Sequence, residues 1–289
     1  MATVTKKVMA AIETDARKNE RLYKNNLMRL VAKIKKIVME ESDPADIVAV
    51  LRTLSTSKEF SKVIELSVRR MITGVSVAEK RSWRMAASSS MMGKRVYAAL
   101  VNQTNNTAVG AAINEIVANN SRLIKTVPSD LALQFSRYAQ EMQLKGIRPE
   151  AIAAEMQAKA PQLAAYQLRR IARTESAKAA TALTQTRSLA VGCEWYIWHT
   201  CQDERVRDSH APMEGILCRW SDPPSPETLF PSKYSKPAGN YHPGGIYNCR
   251  CIALPVIALE DIKFPVKAHF NGKIVTIGSL NEFKERVAA

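Results

Sequence analysis

Residues 195–215 read WYIWHTCQDERVRDSHAPMEG and residues 241–251 read YHPGGIYNCRC, and these two segments decide the fold of the C-terminal part of the chain. The stretch from Trp195 to Cys251 holds three of the four histidines and four of the five cysteines. Aromatic and β-branched residues predict one strand over 194–200 and a second over 249–256. A charged turn and a Pro-rich loop separate them. We therefore expect any chemistry of this protein to lie between these strands.

Working outward, the chain before residue 190 has the apolar spacing of amphipathic helices. A first helix is predicted over about 13–41, and Asp43 followed by Pro44 begins a second. Ser57 begins a third helix, which Gly74 can close, and residues 76–104 are helical by composition. Four further residues are read as breaks or fresh starts: Pro128 as a boundary, Gly146 as a stop, and Pro149 and Pro161 as helix starts. The pattern predicts a nearly all-helical N-terminal region.

Beyond the Cys-containing strand, Asn271-Gly272 predicts a hairpin, and a short helix is predicted over 279–287. The resulting fold class is mainly α with a small α+β C-terminal domain. In this fold, short strands and loops are clipped together by an Asp/His turn and a Cys-Arg-Cys strand. The predicted regions are 1–127 (helical and basic), 128–257 (the α+β domain) and 258–289 (hairpin and short helix).

The whole chain has a formal net charge of +15. Its excess positive charge is concentrated in the first two thirds of the sequence. Residues 1–100 carry 20 Lys/Arg against 10 Asp/Glu, residues 101–190 carry 11 against 6, and residues 191–289 carry 11 against 11. Such an excess favours a polyanionic partner, such as DNA or an acidic protein surface, and it also keeps a protein soluble. The candidate contact residues are Lys33, Lys35, Lys36, Arg69, Arg70, Arg81 and Arg84.

Composition also predicts the compartment. No uncharged apolar run approaches the ~20 residues of a bilayer span, so we expect no membrane segment. The N-terminus lacks the apolar core of a secretory signal, and an odd number of cysteines in a chain of this length favours a reducing compartment.

Three interpretations of the Cys/His cluster remain open from the residues alone. Zinc could be held by His210, His242, Cys249 and Cys251, although one residue between two thiols is an atypical ligand spacing. Cys249 and His210 could instead form a nucleophile–base pair, but no local motif of a cysteine protease accompanies them. Lastly, Asp203, Arg205, Arg207, Asn248 and Arg250 could tie the two segments together through Arg–carboxylate contacts.

The order of several motifs resembles the bacteriophage Mu protein F-like family of minor head proteins, also called phage head morphogenesis proteins. The resemblance covers about residues 130–256 and places 128–257 as the family domain. The residues that carry it are Ile171, Ala172, Arg173, Thr174, Glu175, Trp198, Asp203, Arg207, His210, Gly215, Phe230, Pro231, His242, Pro243, Asn248, Cys249, Arg250 and Cys251.

This resemblance implies a minor structural protein of a tailed-phage head, without enzymatic activity and without a required cofactor. Its location would be the virion, at the portal vertex or in the head interior, after assembly in the host cytoplasm. Implied partners are the portal protein, the major capsid or scaffolding protein and double-stranded phage DNA, with several copies per virion. It would act in prohead assembly and in DNA packaging or ejection.

Relatives with paired cysteines at the positions of Arg207 and His210 suggest zinc in those proteins, and Arg207 removes one such ligand here. The rival functions are a thiol/His-dependent hydrolase or toxin-like effector, and a basic DNA-binding protein outside the virion.

Overall fold

The computed structural model describes residues 6–88, 107–233 and 236–288. Long helices make up the first two thirds of the described chain. They are α1 (Lys6–Met39), α2 (Pro44–Thr56), α3 (Lys58–Ser88), α4 (Thr107–Leu144) and α5 (Pro149–Ala190). Residues 89–104 of the helix predicted over 76–104 lie outside the described residues. Among the helices that are described, none combines the length and apolar character needed to cross a bilayer.

Short strands follow the helices, which confirms the predicted fold class. The elements are β1 (Trp195–His199), β2 (Leu217–Arg219), α6 (Pro226–Leu229), β3 (Ile252–Pro255), β4 (Val266–Phe270), β5 (Lys273–Ile277) and α7 (Leu280–Ala288). Short 3-10 turns occur at Ala211–Met213 and Leu259–Asp261. The chain is therefore mainly α, with a small C-terminal sheet.

Two helix starts arise from side-chain caps, as predicted. The Asp43 carboxylate accepts a hydrogen bond from the Ala45 amide at 2.7 Å, and Pro44 occupies the first helical position of α2. Ser57 Oγ accepts a hydrogen bond from the Phe60 amide at 3.2 Å at the start of α3. Each cap satisfies an amide that has no partner within its own helix.

Three predicted breaks are wrong, because the helices continue through them. Pro128 lies inside α4, Pro161 lies inside α5, and α3 runs past Gly74 to Ser88. Proline costs about 3 kcal/mol and glycine about 1 kcal/mol in a helix interior relative to alanine. Apolar residues on both sides of each break are buried, and their burial offsets these costs. These buried flanking residues are Ile72, Val75, Val127, Leu131, Ala160 and Ala164.

The strands form one five-stranded mixed sheet in the order β3-β1-β2-β4-β5. β1 pairs antiparallel with both β2 and β3, whereas β2 pairs in parallel with β4 through Leu217 and Ala268. The predicted hairpin is present as β4 and β5, and its turn has positive φ at Asn271 (46°) and Gly272 (77°). This hairpin is part of the same sheet as β1 and β3.

The chain divides into two compact units whose boundaries fall inside the long helices. One, here called the helical unit, comprises residues 19–73 and 114–175. The other, here called the sheet unit, comprises residues 1–18, 74–113 and 176–289. This division differs from the predicted boundary at 127/128, which falls within α4.

Each unit has its own buried residues. In the helical unit they include Leu27, Ile34, Leu51, Phe60, Ile64, Ile124 and Met156. In the sheet unit, one apolar cluster contains Tyr196, Trp198, Cys218 and Trp220. A second cluster of the sheet unit joins Trp195 and Leu217 to Phe283 of α7.

Candidate functional site

The loop between β1 and β2 carries the Asp/His turn, and its base is closed by Glu214. One carboxylate oxygen of Glu214 accepts hydrogen bonds from the Thr200 amide (2.6 Å) and hydroxyl (2.7 Å). Beside it, Gly215 has φ of 75° and donates its amide to the Trp198 carbonyl at 2.9 Å. Positive φ is strained for a residue with a Cβ atom, which explains the glycine. The loop thus leaves and re-enters the sheet at a fixed point.

Asp203, on this loop, is bound by the Cys-Arg-Cys segment. Arg250 donates two hydrogen bonds to the Asp203 carboxylate, at 2.5 and 2.6 Å. This paired hydrogen bonding holds the pKa of the Asp203 carboxyl well below its usual range. Arg207 also reaches across, donating to the Tyr247 carbonyl at 2.7 Å while its guanidinium lies over the Tyr247 ring. The predicted contact between the two segments is therefore present. We call the Asp203–Arg250 contact the clip.

The side chains of His210, Cys249 and Cys251 lie close together. The Nδ1 atom of His210 lies 3.6 Å from the Cys249 sulfur and 3.5 Å from the Cys251 sulfur. All three side chains are buried, and their three ligand atoms lie within 4.8 Å of one another. Hydrogen bonding from Cys251 lowers the pKa of the Cys249 thiol, and the same bond, together with burial, raises the pKa of Cys251. Among the described residues, this is the group of side chains suited to hold a metal ion.

The other nitrogen of His210 is held by a buried polar network. Its Nε2 atom lies 2.8 Å from the Tyr241 hydroxyl, which donates to the Glu227 carboxylate at 2.6 and 2.7 Å. The Ser209 hydroxyl also donates to Glu227, at 3.3 Å. Burial and the hydrogen bond to Glu227 raise the pKa of Tyr241 above its usual range, so this hydroxyl keeps its proton and donates it. The imidazole orientation is thereby set, with Nδ1 toward the thiols. The indole of Trp198 packs edge-on against the same ring.

His242 is placed differently from the predicted zinc ligand. Its Nδ1 lies 3.0 Å from the Tyr196 hydroxyl and its Nε2 lies 3.4 Å from Gln185 Nε2, so both ring nitrogens face groups outside the thiol cluster. Burial lowers the pKa of His242 to about 4. The structure thus brings together three of the four predicted metal ligands and leaves His242 among aromatic side chains.

The His-Pro-Gly-Gly segment fixes the second loop against α5. The Thr181 hydroxyl donates to the Pro243 carbonyl at 2.5 Å. Gly244 has φ of 77°, and a Cβ atom there would lie 3.2 Å from both the Ala177 carbonyl and the Thr181 hydroxyl. Its amide donates to the Cys249 sulfur at 3.4 Å. A glycine is required here both by the backbone conformation and by the close approach of the helix.

Arg173 and Glu175, which the family resemblance singles out, lie in the helical unit. Glu175 is buried and accepts a hydrogen bond from Asn120 Nδ2 at 3.2 Å, and Asn120 Oδ1 accepts one from Tyr23 at 3.3 Å. Arg173 forms an ion pair with Glu20 at 3.1 Å. These contacts tie α1, α4 and α5 together within that unit.

The seven candidate basic residues do not all lie in one unit. Arg81 and Arg84 belong to the sheet unit, and the other five belong to the helical unit. Arg81 is paired with Asp15, and Arg69 is paired with Glu65 at 2.8 Å. The side chains of Lys35, Lys36 and Arg70 are exposed. The helical unit as a whole carries 20 Lys and Arg against 13 Asp and Glu, a net charge of +7.

Sequence reasoning missed Glu214, Glu227 and Tyr241. A signal for Glu227 was present, since Ser225-Pro226-Glu227 has the residues that begin a short helix, here α6. Their roles depend on contacts with residues 14 to 31 positions away, namely Thr200 for Glu214 and His210 for Tyr241. No local pattern reports such contacts.

Comparisons with known proteins agree with these motifs. Residues 136–254 match the model of a family described as Phage Mu protein F like protein. An uncharacterized protein of Haemophilus influenzae is 31% identical over 155 residues, which are 53% of this chain and 31% of that protein. The chain thus spans about a third of the length of this relative. No solved structure matches. Over residues 136–254, the chain is therefore similar to the Phage Mu protein F like family.

Proposed function

We propose that this chain is a minor structural protein of a tailed-phage head that acts at the portal vertex or on the capsid interior. The observation that carries this proposal is the family match over residues 136–254, which spans the two loops joined by the clip. An assembly protein needs a surface of constant shape, and the Asp203–Arg250 contact holds two irregular loops together. In this role the protein would act during prohead assembly and in DNA packaging or ejection.

Burial of the reactive side chains favours this structural role over thiol catalysis. Cys249 is 2% exposed and His210 is 1% exposed. A nucleophile must meet its substrate, whereas a buried thiol–imidazole pair serves to hold the segments that carry it. We accordingly propose that the cluster stabilises the domain and that its partners bind elsewhere on the surface.

Positive charge on the helical unit supports a polyanionic partner. Its net charge of +7 includes exposed Lys35, Lys36 and Arg70, which suit phosphate groups of packaged DNA or acidic side chains of a portal ring. The sheet unit supplies a rigid module, and the helical unit supplies charge. We propose that several copies use both properties at the portal.

Gene deletion with complementation tests this function. The gene is removed from the phage or prophage that encodes it, and the full chain is supplied from a plasmid. We expect lysates of the deletion strain to lose infectious particles, with heads that are malformed, empty or unable to deliver DNA, and the supplied chain to restore them. A deletion strain that yields normal heads at normal titre contradicts the proposal. That result would fit the rival function, a DNA-binding protein that works outside the virion.

A further inference from the structure

We propose that His210, Cys249 and Cys251 bind a zinc ion through the Nδ1 atom and the two thiolate sulfurs. This set differs from the four ligands predicted from sequence, because His242 faces other partners. It does not depend on the proposed role in the phage head.

The distances from His210 Nδ1 to the two sulfurs suit tetrahedral zinc. Zn–S bonds of ~2.3 Å and Zn–N bonds of ~2.0–2.1 Å at a tetrahedral angle separate sulfur from nitrogen by about 3.6 Å. The observed separations of His210 Nδ1 from the two sulfurs are 3.6 and 3.5 Å. All three ligand atoms lie within 4.8 Å of one another, so one ion can be shared by the imidazole and both thiols after a small adjustment.

The spacing of one residue between the cysteines is accommodated by the backbone. Neither Cys249 nor Cys251 lies in a strand, so the alternation of a sheet does not fix their orientation. Asn248 has φ of 56°, and the strand β3 begins only at Ile252. This turn before the strand brings both thiols to the same imidazole nitrogen.

Hydrogen bonds assign the histidine the correct tautomer. Glu227 accepts the proton of the Tyr241 hydroxyl, so the Tyr241 oxygen accepts from Nε2–H of His210. The lone pair of Nδ1 is then directed at the thiols, as a metal ligand requires. Histidine ligands are commonly oriented in this way, by a hydrogen bond from the other ring nitrogen to a carboxylate or another acceptor.

Charge and burial also agree with a metal ion. The charges of two thiolates and one Zn²⁺ ion sum to zero, so the site can be buried without a net charge. Both thiol protons are released to solvent when the ion binds. The Gly244 amide already donates to the Cys249 sulfur, a contact that stabilises a thiolate. Three protein ligands leave one position of the tetrahedron for a water molecule.

Such an ion would join the loop after β1 to the loop before β3. It would add a second link between these loops besides the clip, through a histidine that Tyr241 holds in place. Because the site is formed by residues 39 and 41 positions apart, it would form only in the folded chain, and binding would stabilise that fold.

Metal content of the purified full-length chain, measured after removal of loosely bound ions, tests the proposal. We expect about one zinc per chain and a fall in melting temperature on prolonged treatment with a strong chelator, reversed by added Zn²⁺. Cobalt substitution should give thiolate-to-cobalt charge-transfer absorption. Cys249→Ser and His210→Gln should reduce the metal content at least tenfold. Cys218→Ser, at a buried position outside the cluster, and His242→Gln, at a half-buried one, should retain it.

The wild-type measurements keep the proposal testable even if the ligand variants do not fold. Zinc at well below one equivalent, with no change in melting temperature on chelation and no cobalt charge-transfer band, overturns it. A mass lower by two hydrogens, with Cys249 and Cys251 joined in one disulfide, also overturns it. Equal loss of metal in Cys249→Ser and in Cys218→Ser would place the ion elsewhere and likewise contradict the assignment.

Discussion

Arg250 binds Asp203, 47 residues earlier in the chain, through two hydrogen bonds of 2.5 and 2.6 Å. The planar guanidinium matches the two carboxylate oxygens, a geometry that lysine cannot reproduce. One contact therefore sets the position of the Asp-containing turn against the Cys-containing segment, and several properties of the domain depend on it.

Replacing Arg250 with lysine is expected to lower the melting temperature and to expose the 200–214 loop to proteolysis, because one of the two hydrogen bonds is lost. Arg205→Gln is the matched control, since Arg205 lies on the same turn, is exposed and approaches Asp203 only at 3.4 Å. Thermal unfolding and limited proteolysis measure both effects. Equal stability of the two variants would show that the clip does not hold the loop.

Acid should weaken the same contact. The pKa of Asp203 is depressed in the folded state, so its stabilising contribution is complete above the ordinary carboxyl pKa and is lost as the pH falls below it. In Asp203→Asn this part of the pH dependence should disappear. Urea unfolding of the wild type and of Asp203→Asn, from pH 5 down to the lowest pH at which both fold, gives the free energy of unfolding of each. A difference between the two free energies that does not change with pH would contradict the assignment.

His242 should destabilise the fold at mildly acidic pH. Its pKa is about 4 in the folded protein because of burial, against the ordinary value near 6.5, so the unfolded chain binds the proton more tightly. Stability is therefore lost as the pH falls from about 6.5 to about 4, by up to about 3 kcal/mol. The free energy of unfolding of wild type minus that of His242→Gln isolates this effect from the other histidines. A difference that does not change over this interval would contradict it.

The buried ion pair of Glu79 and Arg187 should show a strong dependence on both partners. Each side chain is 9% exposed, Thr184 donates to Glu79 at 2.5 Å, and Ser76 accepts from Arg187 at 2.7 Å. Arg187→Met leaves a buried carboxylate without its partner and should cost about 3–5 kcal/mol of unfolding free energy. The double variant Glu79→Leu with Arg187→Met should cost less than the single one. Additive losses would argue against a coupled pair.

Basic residues of the helical unit are expected to govern binding to DNA. Changing Lys33, Lys35 and Lys36 together to glutamine should weaken retention on double-stranded DNA. It should also reduce the slope of log affinity against log salt by up to about 0.9 for each lost phosphate contact. The control removes the same charge from the balanced C-terminal region, by changing exposed Lys263, Lys267 and Lys273 to glutamine. If both triple variants retain the wild-type slope, the first three lysines do not contact phosphate.

Sequence patterns correctly predicted the two helix starts that a side-chain cap marks. The caps at Asp43 and Ser57 are local, so their chemistry can be read from adjacent residues. Pro128 was read as a break, yet Ile124, Val127 and Leu131 keep the apolar spacing across it and are buried. Periodicity that continues through a proline was the stronger signal, because burial of the apolar face outweighs the lost hydrogen bond.

The candidate site was only partly readable from the sequence. Spacing and residue type indicated the pairing of Asp203 with the Cys-Arg-Cys segment and the presence of His210 near the thiols. The role of Tyr241 depends on the short helix α6, which places Glu227 under its hydroxyl. β2 has only three residues and was missed, although it joins the hairpin to the sheet. Such pairings are decided by tertiary packing, which the local sequence does not record.

The most direct test of the account is to count this chain in purified phage heads. Quantitative mass spectrometry of heads from the phage or prophage that encodes it, taken before and after DNA packaging, gives the number of copies relative to the portal protein. The account predicts several copies per head in both preparations, retained through gradient purification. Absence of the chain from both kinds of head, while it is abundant in the producing cells, would contradict a structural role in the phage head.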